Sequence, residues 1–128
     1  MPINQIKSSW LKLSAVAVLF LGMSFQQAFA HAHLKDQLPA EGAALEQAPE
    51  AITLNFSEGI EVNFTKVNVT DENKQTIKTG KAALDPSNNT KVIIPVESKL
   101  AAGKYDVQWS VVSVDGHKTK GNYSFTVK

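Results

Sequence analysis

From residue 51 onward the chain alternates apolar and polar residues in short runs. Ile52, Leu54 and Phe56 alternate with polar neighbours, and the run from Tyr105 to Val111 places four bulky side chains on one face. Period-two alternation is typical of strands with one face in a core and the other in water. Similar runs cover residues 62–64, 67–69, 92–96 and 123–127. The pattern therefore predicts an all-β domain.

Turn-forming residues separate these runs at regular intervals. Clusters of Gly, Pro, Asn and Asp stand at residues 39–42, 58–59, 71–73, 85–89, 103 and 115–116. No stretch has a convincing helical period, and residues 43–48 offer one turn of helix at most. About seven short strands with such close turns predict an antiparallel β-sandwich. Its core is expected to hold five aromatic residues: Phe56, Phe64, Tyr105, Trp109 and Phe125.

The N-terminal segment has the three parts of a secretory signal peptide. Lys7 and Lys12 form a positively charged start, and an apolar run follows over residues 13–22. Ala28-Phe29-Ala30 then provides a small-residue cleavage pattern. The apolar run is too short for a comfortable membrane span, although an uncleaved anchor is the alternative. We therefore expect residues 1–30 to be removed during export and residues 31–128 to form the mature domain.

Composition narrows the chemistry of this mature domain. The chain contains no cysteine, which excludes disulfides, thiolate metal sites and cysteine nucleophiles. Both methionines, Met1 and Met23, fall within the predicted signal peptide. Without Lys7 and Lys12, residues 31–128 carry 11 basic and 12 acidic side chains, so there is no basic excess that would favour nucleic acid.

The three histidines all lie in the predicted mature domain and suggest a metal site. His31 would be its first residue, offering an α-amine with a pKa of about 8 beside an imidazole. Asp115 and His117 flank Gly116, which allows a tight turn, so their side chains can converge at a strand end. If the first strand lies beside this hairpin, the three residues supply three nitrogens and one oxygen, a set that suits Cu(II) or Zn(II).

Each of these features also has a plain structural interpretation. Asp-Gly is a common hairpin turn, and the first residues of a domain are often disordered. The Irving–Williams order favours copper, but tetrahedral zinc would take the same four donor atoms. His33 leaves a further alternative open, because an amine, two deprotonated backbone amides and the imidazole of a third residue can wrap around Cu(II).

Several segments, in order, resemble the CopC family of periplasmic copper-binding proteins. They are residues 31–34, 38–42, 54–58, 100–105, 109–117 and 121–125. The resemblance spans residues 31–128 and implies a cupredoxin-like, Ig-like Greek-key β-sandwich. It implies that His31, Asp115 and His117 bind one Cu(II) per chain. In some family members a glutamate that corresponds to Glu58 is also associated with the site.

The resemblance further implies a monomeric carrier or buffer that serves copper homeostasis and resistance, not an enzyme. A CopD-type transporter of the inner membrane is the implied partner. Some family members bind Cu(I) through a methionine-rich loop, and the lack of methionine in residues 31–128 predicts a single Cu(II) site here. Two alternatives remain: a copper-dependent oxidative enzyme with an N-terminal histidine site, and a metal-free β-sandwich interaction module. Few aromatic residues are left over for a polysaccharide-binding platform, which disfavours the enzyme.

Overall fold

The computed structural model describes residues 32–128, so the predicted signal peptide and His31 lie outside the described residues. The all-β prediction is confirmed, with eight strands instead of about seven. They are β1 (Leu34–Leu38), β2 (Ala44–Leu45), β3 (Ala51–Phe56), β4 (Lys66–Thr70), β5 (Ala83–Asp85), β6 (Asn88–Pro95), β7 (Gly103–Val112) and β8 (Lys118–Val127). Within residues 32–128 no helix is long and apolar enough to cross a membrane.

The strands form two four-stranded sheets that face each other. One has the order β1-β3-β6-β5 and the other β2-β8-β7-β4. Strand neighbours pair antiparallel apart from β2, which runs parallel to β8. Residues 43–48, which offered one turn of helix at most, instead contain β2. Backbone hydrogen bonds from Thr126 to Ala43 and from Lys128 to Leu45, both 2.8 Å, attach this segment to β8.

Four of the five predicted core aromatics lie between the sheets. Phe56, Tyr105, Trp109 and Phe125 are each at most 9% exposed. The rings of Phe56 on β3 and Trp109 on β7 come from opposite sheets and meet edge to face, with centroids 5.2 Å apart and planes inclined by 74°. Such a pair contributes about 0.5–1.5 kcal/mol beyond the area it buries, so it helps to hold the two sheets together.

Phe64, the fifth predicted core residue, is 65% exposed, so that prediction is wrong. Val62–Phe64 form a 3-10 turn in which the Phe64 amide donates to the carbonyl of Glu61 at 3.1 Å. The turn interrupts the two-residue alternation that placed Val62 and Phe64 on a strand. The Phe64 ring is consequently turned towards solvent.

Gly121 on β8 lies opposite Trp109 and is covered by its ring. A Cβ atom at Gly121 would approach Trp109 Cζ2 to 2.5 Å, so an added methyl group must displace the indole. We expect Gly121→Ala to lower the free energy of unfolding by about 1–3 kcal/mol, measured by chemical denaturation. Asn122→Ala, at an exposed position of the same strand, is the control and should change it by less than about 0.5 kcal/mol. Equal stabilities of the two variants would show that the indole moves without cost.

Candidate metal centre

The turn between β7 and β8 has the tight geometry that its sequence predicts. The Ser113 amide donates to the His117 carbonyl at 2.9 Å, and the Gly116 amide donates to the Ser113 carbonyl at 2.8 Å. Gly116 has a φ of 91°, in the left-handed region that favours glycine. The turn is short and closed, and it presents Asp115 and His117 at one end of the sandwich.

The structure brings Asp115 and His117 together. Asp115 Oδ2 lies 3.0 Å from His117 Nδ1, and the side chains remain 33% and 51% exposed, respectively. Bonds of about 2.0–2.1 Å to one metal ion place neighbouring donor atoms about 3 Å apart. The two atoms are within hydrogen-bond distance of each other, and the same spacing suits two ligands of one ion. Solvent reaches both side chains.

The electrostatics of the turn favour a charged Asp115. The Ser113 hydroxyl and, after it, the His117 ring lower the pKa of the Asp115 carboxyl from its usual 3.8 to about 2. Hydrogen bonds to a carboxylate favour its ionised form over the neutral one. Asp115 is thus an anion at neutral pH, as a ligand for a cation must be.

The first described residue, Ala32, lies at the same end of the sandwich. Ala32 is 1% exposed, and its carbonyl accepts a hydrogen bond of 3.2 Å from the hydroxyl of Thr119, 87 positions away. Thr119 is on β8, two residues after His117. The start of the domain is therefore anchored beside the strand that follows the Asp115–His117 pair.

His33 is held by its backbone. Its amide donates to Ser57 Oγ at 2.8 Å, and its carbonyl accepts from the Ser57 amide at 2.8 Å. These two bonds continue the pairing of β1 with β3. They fix the direction in which the chain approaches Ala32, while His33 itself is exposed.

The loop that follows Ser57 connects the N-terminal segment to the turn. Gly59 accepts a hydrogen bond from the Val114 amide at 2.9 Å, and the Glu61 amide donates to Val112 at 2.8 Å. Glu58, in this loop, is half-buried. Across residues 32–128, however, no three His, Asp or Glu side chains converge closely enough to hold a metal ion. The structure thus unites Asp115 with His117 but does not add His33 or Glu58 to them.

Sequence reasoning missed one residue of this site, Ser113. Its side chain is fully buried, and its hydroxyl hydrogen-bonds to Asp115 Oδ1. A signal was present in the sequence, because Ser113 continues the inward-facing series of Trp109 and Val111. A polar residue at an inward-facing position needs a partner, and the carboxylate two residues further along the chain is that partner.

Comparison with known proteins agrees with this architecture. Protein YobA of Escherichia coli K12 is 46% identical over 114 residues, which cover 89% of this chain and 92% of YobA. PcoC, a methionine-rich copper resistance protein from Escherichia coli, has a crystal structure that matches with a TM-score of 0.69 at 36% identity, over 77% of this chain and 100% of PcoC. Copper transport protein CutJ of Bacillus subtilis is 28% identical over 112 residues, which cover 88% of this chain but only 21% of CutJ.

A model of the CopC domain matches residues 34–128, which include all eight strands and the turn that carries Asp115 and His117. The family match covers most of the chain, and YobA, a relative of similar length, is 46% identical. The chain therefore belongs to the CopC family, a family of copper resistance proteins.

Proposed function

We propose that the mature protein binds one Cu(II) ion in the periplasm through His31, Asp115 and His117. The observation that carries this proposal is the Asp115–His117 pair, with its donor atoms 3.0 Å apart, at the end of the sandwich where Ala32 is anchored to β8. The α-amine and imidazole of His31 would complete a set of three nitrogens and one oxygen.

Covalent geometry supports the inclusion of His31. One peptide bond joins it to Ala32, and consecutive Cα atoms are about 3.8 Å apart. Because the Ala32 carbonyl is bound to Thr119, two residues from His117, the preceding residue has only a short distance to cover. Cleavage after Ala30 would leave the amine of His31 free to act as a ligand.

The available donor atoms favour Cu(II). Nitrogen and oxygen ligands suit Cu(II), whereas Cu(I) prefers thiolates and thioethers. Residues 31–128 contain neither cysteine nor methionine. PcoC is described as methionine-rich, so this chain differs from that relative in the residue type that a Cu(I) site requires. This contrast supports the proposal of a single copper site per chain.

The backbone contacts of His33 argue against the wrapped binding mode. In that mode Cu(II) replaces the amide protons of the second and third residues. Here the His33 amide proton is donated to Ser57, and Ala32 is buried in the core. Wrapping would cost these contacts, whereas binding by His31, Asp115 and His117 retains them.

The surface around the site favours holding or transferring copper over enzymatic turnover. Within residues 32–128, Phe64 is the one exposed aromatic side chain, so there is no aromatic platform for a polysaccharide. A carboxylate ligand such as Asp115 also occupies a position that an oxidase would keep open for oxygen. The exposed ligand pair instead suits copper exchange with a partner.

The proposed partner is a membrane copper transporter, and the compartment is the periplasm. The predicted signal peptide supports export. In CutJ, named as a copper transport protein, the region similar to this chain makes up 21% of a much longer protein. In CutJ the region similar to this chain is joined to the rest of a copper transport protein. Here a monomer would deliver copper to a transporter that is a separate chain.

Intact mass spectrometry of the exported protein, combined with thermal unfolding, tests the proposal. We expect a monomer that begins at His31 and gains the mass of one copper ion. At free Cu(II) of about 100 times Kd, binding should add about 2.7 kcal/mol of stability. For a domain of this size, that corresponds to a rise in Tm of at least about 10 °C. An unchanged Tm with no bound copper would contradict the proposal and favour a metal-free interaction module.

A further inference from the structure

Ser113 is a buried hydroxyl residue at the base of the turn that carries the proposed ligands. It directly follows β7, and its relative exposure is 0%. It forms an antiparallel bridge with Ile60, so the loop after β3 lies against it. Trp109 and Val111, which precede it on the inner face of β7, are both apolar and buried. A hydroxyl at this position therefore requires an explanation.

The turn does not need the Ser113 hydroxyl in order to close. The Ser113 amide already donates to the His117 carbonyl, and the Ser113 carbonyl already accepts from the Gly116 amide. Alanine would retain both backbone bonds and fit the same space. Burying a hydroxyl without a hydrogen-bond partner costs free energy. Serine is therefore favoured over alanine at this position only through the contacts of its oxygen.

The oxygen contacts two groups, and one of them is the Asp115 carboxylate. Ser113 Oγ hydrogen-bonds to Asp115 Oδ1 and also lies 3.2 Å from the His117 carbonyl oxygen. A hydroxyl has a single proton, and an ionised carboxylate is a stronger acceptor than a carbonyl. Ser113 therefore donates to Oδ1, while the other oxygen, Oδ2, faces His117 Nδ1.

We propose that Ser113 is a positioning residue of the copper site, which holds the Asp115 carboxylate in its ligating orientation. This inference rests on the proposed function. With Oδ1 held by a rigid, buried donor, Oδ2 remains beside His117 without further ordering when the ion arrives. Preorganisation of this kind increases affinity because the ordering cost is met during folding. Loss of a residue that orients a metal ligand typically weakens binding by about 10–100-fold.

The first test compares Cu(II) affinities of the mature protein with His31 at its N terminus. Ser113→Ala should weaken binding by about 10–100-fold, while the Tm of the metal-free protein changes little. Thr70→Val is the matched control, since it removes another buried hydroxyl, one that has no hydrogen-bond partner among residues 32–128. Thr70 lies towards the other end of β4, paired with Asp106, so this variant should bind copper like the wild type.

The second test asks whether Ser113 acts through Asp115. In a background of Asp115→Ala, which retains three nitrogen donors, Ser113→Ala should weaken binding by less than about threefold, because the group it orients is absent. At saturating copper, Ser113→Ala should also alter the electron paramagnetic resonance spectrum, which reports the ligand geometry around Cu(II).

The outcomes separate this inference from the proposed function. If the wild-type protein fails to bind Cu(II), the proposed function itself is wrong. If the wild type binds and Asp115→Ala weakens binding, but Ser113→Ala matches the wild type in affinity and spectrum, the positioning role alone is overturned. An equal loss from Ser113→Ala with and without Asp115 would likewise overturn it, because that loss would be structural.

Discussion

Adding one methionine before His31 should weaken Cu(II) binding by about 100-fold or more. Losing a residue that only orients a metal ligand costs about 10–100-fold, and losing a ligand itself should cost at least as much as the upper end of that range. The extension converts the α-amine into an amide, whose nitrogen can bind Cu(II) only after it loses a proton far less acidic than that of the amine. A free α-amine, with a pKa of about 8, loses its proton to a metal at little cost. Competition against a chelator of known Cu(II) affinity measures the difference.

The structure makes this extension a clean perturbation. The contacts that anchor the start of the domain begin at the Ala32 carbonyl, and the His33 amide and carbonyl are both bound to Ser57. An extra residue before His31 leaves all of these bonds in place. The control carries the same methionine after Lys128 and should bind like the wild type. Equal affinity of the two extended proteins would remove the amine from the donor set and leave the site to side chains alone.

Local patterns in the sequence predict most of this fold because period-two alternation is a local property. β3 and β7 are found from their alternating residues, and the tight turn is found from Asp115-Gly116. The same reasoning fails at Phe64, where a 3-10 turn shifts the phase of the alternation and exposes the ring. It also fails at Ala44–Leu45, whose strand conformation depends on pairing with β8, far along the chain.

The site divides along the same line between local and long-range information. The convergence of Asp115 and His117 follows from a single turn, and the structure shows it directly. The anchoring of Ala32 beside β8 depends on the arrangement of two sheets, and no local pattern encodes a contact across 87 positions. Ser113 is the intermediate case. The alternation of β7 assigns it to the inner face, but its acceptor is known only once the turn has a structure.

His117→Ala should lower Cu(II) affinity by about 100-fold or more, because it removes a ligand. His33→Ala should change the affinity by less than about threefold, because it removes an exposed side chain outside the site. Quenching of Trp109, the one tryptophan in residues 31–128, offers a direct titration signal. Both variants should fold, since the structure holds each position through its backbone. The Ser113 amide donates to the His117 carbonyl, and Ser57 contacts the His33 amide and carbonyl.

The two variants also decide between the two ways in which an N-terminal histidine can hold Cu(II). Binding through His31, Asp115 and His117 leaves the Ser57–His33 bonds intact. It requires the two hairpin side chains whose Oδ2 and Nδ1 atoms lie 3.0 Å apart. Wrapping by the first three residues needs the His33 ring and makes no use of His117. A large loss in His33→Ala with wild-type affinity in His117→Ala would therefore mean that copper breaks the Ser57 contact on binding. In that case the fold would serve only to present a flexible terminus. The expected ranking instead means that copper binding depends on the β-sandwich, because the sandwich brings the N-terminal histidine close to the hairpin that carries Asp115 and His117.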